Sequence, residues 1–87
     1  MTQLFAIKDS DNRYVDKYSI WYEKETKQWH YTSKGGYEID CSMKNLDTGV
    51  ILCKSINETD EIIRNLSQNL YKVHKENMTF SIKEIVC

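Results

Sequence analysis

Proline is absent from the chain, which excludes a cis-proline turn and leaves the sheet edges without the proline guard common on natural edge strands. Such an edge is open to a partner strand or a second copy of the chain. A dominant charge of one sign is lacking too. Twelve basic residues stand against thirteen acidic ones, so neither a long-range pull on nucleic acid nor a strongly acidic DNA-mimicking surface is expected. Cysteine is scarce and odd in number, Cys41, Cys53 and Cys87, with no close spacing; this argues against a disulfide framework and for reduced thiols. No run approaches the roughly 18 apolar residues of a membrane span, and the start, MTQLFAIKDSDNR, has neither the basic flank nor the apolar core of a signal peptide. A soluble, cytoplasmic protein without membrane association is the expectation. Asn57, Asn65 and Asn77 open N-x-Ser/Thr tripeptides, which without secretion are chance matches.

What is present is a globular composition, 40% hydrophobic and 29% charged over 87 residues, enough for one domain with a small core and no large internal pocket. The segment with a sustained helical period covers residues 55–75, SINETDEIIRNLSQNLYKVHK. Ile56, Thr59, Ile63, Leu66, Leu70 and Val73 recur at steps of three and four, with Ile62 widening the stripe, which predicts an amphipathic helix. Ser55 followed by Glu58 reads as a capping box. Acidic residues fill the first turns, and Lys72, His74 and Lys75 the last, in the sense the helix macrodipole favours.

Around the helix the pattern turns to strands. Residues 4–8, LFAIK, form the first, closed by Asp9-Ser10-Asp11-Asn12, whose side chains bond nearby amides in turns. Residues 14–23 alternate as a second strand antiparallel to the first, with Tyr14, Tyr18, Ile20 and Tyr22 on one face and Val15, Trp21 and Glu23 on the other. A charged connector, residues 24–27, leads to a third over 28–33, with Trp29 and Tyr31 on one face and His30 on the other. Gly35-Gly36 reads as a turn or bulge. Tyr37, Ile39 and Cys41 then suggest either a fourth strand or a bent continuation of the third. NLDTG at 45–49 reads as a turn, VILC at 50–53 as a short strand entering the helix, Asn77 as a helix terminator and residues 79–87 as the last strand, with Phe80 and Ile82 opposite Ile85 and Cys87. The class is α+β: an antiparallel sheet of four to five strands with one long helix on one face, in the order β-β-β-(β)-β-α-β.

Chemical motifs are wanting. Asp9-Ser10-Asp11 opens like a calcium loop, but Arg13, Tyr14 and Ile20 stand where a ligand, a glycine and a bidentate glutamate belong. Cys41, Cys53, Cys87, His30 and His74 lack zinc spacing, and no nucleophile sits in a motif beside an oxyanion hole. Gly35-Gly36 lacks the flanking residues of a phosphate loop. Neither metal nor cofactor is expected, nor is enzymatic activity. Aromatic residues concentrate ahead of the helix, and one helix cannot cover them all. Trp21, Trp29, Tyr31 and Tyr37 are therefore the candidate partner-binding residues, because such rings give large contact area at low entropic cost. Lys17, Lys24, Lys27 and Lys34 are interrupted by Asp16, Glu23, Glu25, Glu38 and Asp40, so a protein is favoured over nucleic acid as partner.

FAIKDSDNRYV at residues 5–15, the tryptophan-bearing middle, LCKSINETDEII at 52–63 and SIKEIVC at 81–87 together resemble small uncharacterised proteins of phages and prophages of low-GC Gram-positive bacteria. The GGYEIDCSMKNLDTG segment departs from the shorter middle of that pattern. The resemblance implies a viral accessory protein acting in the host cytoplasm as an inhibitor of host machinery, anti-CRISPR-like or otherwise anti-defence, and it assigns no site residue. Two alternatives remain beside an inhibitor that binds a host protein: a nucleotide- or nucleic-acid-binding domain using the aromatic face and Gly35-Gly36, and a structural homo-oligomer or homodimer joined at an edge strand.

Overall fold

The computed structural model describes residues 3–33, 49–74 and 78–86. Gly35-Gly36, the strand expected over Tyr37, Ile39 and Cys41, most of the NLDTG turn, the Asn77 terminator and Cys87 lie outside the described residues, as do the side chains of Lys72, Val73 and His74.

Among the described residues the chain runs β1 (Gln3–Asp9), β2 (Ile20–Glu23), β3 (Gln28–Tyr31), β4 (Leu52–Cys53), α1 (Ile56–His74) and β5 (Phe80–Val86). It is an α+β fold with five strands in two antiparallel sheets, β4-β1-β5 and the β2-β3 hairpin. β1 is the centre of the first sheet. It pairs along its whole length with β5, from Gln3 opposite Val86 to Asp9 opposite Phe80, and on its other side with β4 through Phe5 opposite Cys53 and Ala6 opposite Leu52. A central strand flanked on both sides has its backbone groups engaged in ladders, which suits the apolar run LFAI.

Register separates the side chains of this sheet into two faces. Ala6, Leu4, Leu52, Tyr14, Val50 and Ile85 share one, and Ala6, Tyr14, Val50 and Ile85 form a buried cluster there with Leu4 and Leu52 packed against it. Phe5, Ile7 and Cys53 are buried on the other face. Ile51, of the same parity, lines a cavity with Ile62 and Leu66 of α1, so this second face is the helix side. Both faces are thus closed at the sheet centre, where Ala6, Ile7 and Val15 have no exposed surface. A buried isoleucine or leucine contributes about 1.5–3 kcal/mol by leaving water.

The segment expected as one strand over residues 14–23 is divided. Tyr14 and Asp16 make isolated antiparallel bridges to Lys8 and Val50, and the Val15 amide donates to the Ile7 carbonyl at 3.0 Å while its carbonyl accepts from the Ile51 amide at 3.0 Å. A turn then re-aims the chain. The Asp16 carboxylate accepts from the Tyr18 amide at 2.8 Å and the Ser19 amide donates to the Asp16 carbonyl at 3.2 Å. Local side-chain bonding of this kind competes with a ladder, so only Ile20–Glu23 continues as strand, and its partner is β3 rather than β1.

α1 begins where the cap predicts. The Ser55 hydroxyl accepts from the Glu58 amide at 3.2 Å, the hydroxyl half of the capping box. The buried stripe runs through Thr59 and Leu70, with Ile62, Ile63 and Leu66 half-buried. Ile56 is a departure, 53% exposed. Thr59 begins the buried face instead, and its hydroxyl is satisfied by donating to the Ser55 carbonyl at 2.8 Å. No helix among the described residues is long and apolar enough to cross a membrane.

Candidate functional site

The β2-β3 hairpin holds most of the candidate residues. Glu23 opposite Gln28 closes a four-residue loop, residues 24–27, in which Lys27 takes a left-handed φ of 56° and the Thr26 hydroxyl donates to Glu23 Oε2 at 2.8 Å. The left-handed residue supplies the reversal that an Asn-Gly pair would otherwise provide. Pairing then sets Trp21 opposite His30 and Tyr22 opposite Trp29. Directly opposed residues share a face, so the two tryptophans point to opposite sides of the hairpin.

On one side Trp21 stacks on His30, with ring centroids 5.4 Å apart and planes inclined by 20°. His30 Nε2 lies 2.9 Å from Glu23 Oε2. The Thr26 hydroxyl and the His30 ring hold the Glu23 carboxyl below the usual carboxylate range. Trp21 is 41% exposed, and Tyr18, just ahead of the hairpin, is 76% exposed. On the other side Tyr22 and Trp29 meet at 5.4 Å with a 57° tilt, 46% and 37% exposed respectively.

Tyr31 is on the Trp29 side and serves as an anchor. Its hydroxyl donates to Asp9 Oδ2 at 3.0 Å, and the Ser33 hydroxyl donates to the same oxygen at 2.7 Å. Asp9 Oδ1 accepts from the Asp11 and Arg13 amides, each at 3.0 Å. Burial pushes the Asp9 carboxyl up, but these four donors outweigh it and leave the group below its ordinary value. Burial, with the Asp9 charge beside it, raises the Tyr31 phenol well above its ordinary value. Asp9 therefore ties the end of β1 to the end of β3. The sequence DSDN at residues 9–12 is turn chemistry, as its residue types suggest, and the left-handed φ of 62° at Asn12 belongs to that turn.

Of the four candidate residues, Trp21 and Trp29 are exposed on opposite faces, Tyr31 is half-buried against Asp9, and Tyr37 lies outside the described residues. Tyr18 and Tyr22, exposed beside them, belong to the same surface. Their strand alternation with Ile20 was visible in the sequence; the turn that separates Tyr18 from the hairpin was not.

A cavity of about 220 Å³ lies between the hairpin and α1. Its apolar wall is Ile20, Ile51, Ile62 and Leu66, with Trp29 at one side. Asp16, Lys17, Ser19, Asn65 and Asn69 supply the polar lining, and Asp16 is only 9% exposed. A second recess, about 380 Å³, abuts the satisfied Asp9 clamp and Arg13.

Cys53 is a free thiol buried on β4, and burial raises its pKa. Among the described residues no three His, Cys, Asp or Glu side chains are grouped to hold a metal ion. Exposed rings thus stand on a two-stranded arm whose end is tied to the end of β1 through Asp9.

In class, the molecule is an α+β module in which a helix covers a three-stranded sheet and an aromatic hairpin stands beside it. No protein-family model, curated protein or solved structure matches the chain.

Proposed function

We propose that this chain acts without catalysis, as a small phage-type accessory protein that binds a host protein through its aromatic hairpin and blocks it sterically. The observation that carries the reading is the exposure of Trp21, Tyr22 and Trp29 on an arm of only four residues per strand. Tyrosine and tryptophan are the residues in which interface energy concentrates. A hairpin clamped to the sheet by Asp9 presents them with little further ordering to be lost on binding. The resemblance to phage and prophage proteins of Gram-positive bacteria supports a host defence component as the target, in the manner of an anti-CRISPR protein.

The test is expression of the chain in Gram-positive hosts that each carry one defined defence system. Growth of a restricted phage is expected to be restored against one system, and Trp21→Ala is expected to abolish that rescue with an unchanged melting curve. Absence of rescue across the panel, or full rescue by a Trp21→Ala, Trp29→Ala double variant, would refute the reading.

A further inference from the structure

We propose that β5 is a dimerisation edge, along which a second copy of this chain adds its own β5 antiparallel, about a twofold axis normal to the sheet. The proposal does not rest on the protein-binding reading above. Backbone chemistry dictates the occupant's conformation. β5 pairs with β1 over seven residues on one side, and among the described residues none of its amides or carbonyls bonds anything on the other. Every second residue of an antiparallel strand aims its N–H and C=O outward, and such a row is matched by another strand. The other described strands are shorter, two residues in β4 and four in each arm of the hairpin. Devices that blunt an edge are few on β5. It holds no proline, its register with β1 runs without a bulge, and the Glu84 carboxylate is drawn back over β1 by the Gln3 side-chain amide.

Symmetry and charge then fix the register. Opposed residues of an antiparallel pair share a face, and a twofold axis normal to the sheet preserves each face, so paired residue numbers sum to an even value and one residue faces itself. Centres at Ile82, Lys83 or Glu84 retain most of the strand. Lys83 or Glu84 at the centre sets like charges directly opposite, which destabilises the pairing. Ile82 at the centre sets Phe80 against Glu84, Ser81 against Lys83 and Met78 against Val86. The pairing with β1 puts Phe80, Ile82 and Val86 on the side of Ile7, the helix side. α1 covers them only in part: Phe80 and Ile82 are half-buried and Val86 is 58% exposed. In the dimer the two Ile82 side chains meet, flanked by the two Phe80 rings and closed at each end by Val86 with Met78. The two three-stranded sheets become one of six, with both helices on the same face. A strand of an unrelated protein would satisfy the backbone equally; the self-complementary apolar row centred on Ile82 is what commits the edge to this chain.

Sedimentation equilibrium of the whole protein is expected to show reversible dimerisation with Kd of about 1–100 µM, as suits an interface at the small end of the range. Hydrogen exchange at rising concentration is expected to protect amides of β5 and leave those of β2 and β3 unchanged. Ser81 is exposed and meets Lys83 twice in the dimer, so one position tests both the edge and the register. Ser81→Glu is expected to tighten dimerisation and Ser81→Lys to weaken it, each by roughly 2- to 30-fold through two cross-strand charge pairs. Lys8 lies opposite Ser81 within one copy, so the same substitutions are repeated with Lys83→Ser, where both effects on dimerisation are expected to disappear. A monomer at concentrations up to about 1 mM, a dimer indifferent to both Ser81 changes, effects that persist with Lys83→Ser, or protection confined to the hairpin would overturn the proposal. None of these readouts needs a host partner.

Discussion

Removing the Asp9 carboxylate is the most informative perturbation of the fold, because one buried side chain joins β1, the following turn and the end of the hairpin. Asp9→Ala leaves the Asp11 and Arg13 amides and the Tyr31 and Ser33 hydroxyls without their acceptor. A hydrogen bond to a charged group contributes about 1.5–3 kcal/mol. Asp11 and Arg13 are exposed enough for water to replace part of theirs, so the expected loss is about 3–4 kcal/mol, dominated by the two hydroxyl bonds. For a domain of this size that lowers Tm by roughly 12–30 °C, a large part of a total stability of about 5–15 kcal/mol. Tyr31→Phe removes one donor and is expected to cost about 1–2 kcal/mol. Urea unfolding of Asp9→Asn, of Tyr31→Phe and of the variant carrying both gives the coupling directly. The pH profile adds an independent check. Since the folded-state pKa of Asp9 lies below its unfolded value of about 3.9, its contribution is complete above that value and disappears as pH falls through the folded pKa. Asp9→Asn should lack this acid component. A cost below about 1 kcal/mol for Asp9→Ala, or an identical acid limb in wild type and Asp9→Asn, would refute the clamp.

Other outcomes follow from single features. Lys27→Gly should stabilise the protein by up to about 1 kcal/mol in urea unfolding, by relieving a left-handed non-glycine residue. Ser55→Ala should cost about 1 kcal/mol through the lost helix cap. Ile7→Ala, at a position with no exposed surface, should cost about 2–5 kcal/mol. At alkaline pH the raised Tyr31 phenol contributes stability that is present below about pH 10 and lost as pH rises from there through the folded value; Tyr31→Phe should flatten that limb of the stability profile.

The helix and the flanking strands were legible because each rests on a local signal. Ser55 and Glu58 mark a cap, residues 59–70 hold a helical period, and LFAI and SIKEIV read as strands. Division of the strands into two sheets was not legible. Alternation from Tyr14 to Tyr22 is the same whether or not the chain turns at Asp16, and the turn depends on the Ser19 hydroxyl and the Asp16 carboxylate folding back on their own backbone. The candidate site was half legible for a related reason. Surplus aromatics announce themselves in composition, but the fate of each depends on partners distant in sequence. Tyr14 is sealed between β1 and the chain near Val50, with Lys8 Nζ 4.7 Å from its ring centre. Tyr31 is tied to Asp9, twenty-two positions away. Trp21 stays largely outside, stacked on His30.

Asp9 and Asp16 show how one local device yields two results. Each uses Oδ1 to accept a backbone amide two residues onward, Asp11 in one case and Tyr18 in the other. At Asp9 the second oxygen is taken by Tyr31 and Ser33; at Asp16, among the described residues, it accepts nothing. The same conservative change should therefore have unequal consequences. Asp9→Asn places an amide against two hydroxyls arranged to donate and should lose about 1–2 kcal/mol, whereas Asp16→Asn retains its turn acceptor and should stay within about 1 kcal/mol of wild type. Urea unfolding of the two variants side by side measures the difference. Equal losses would mean that the fold holds the second oxygen of Asp16 no less firmly than that of Asp9.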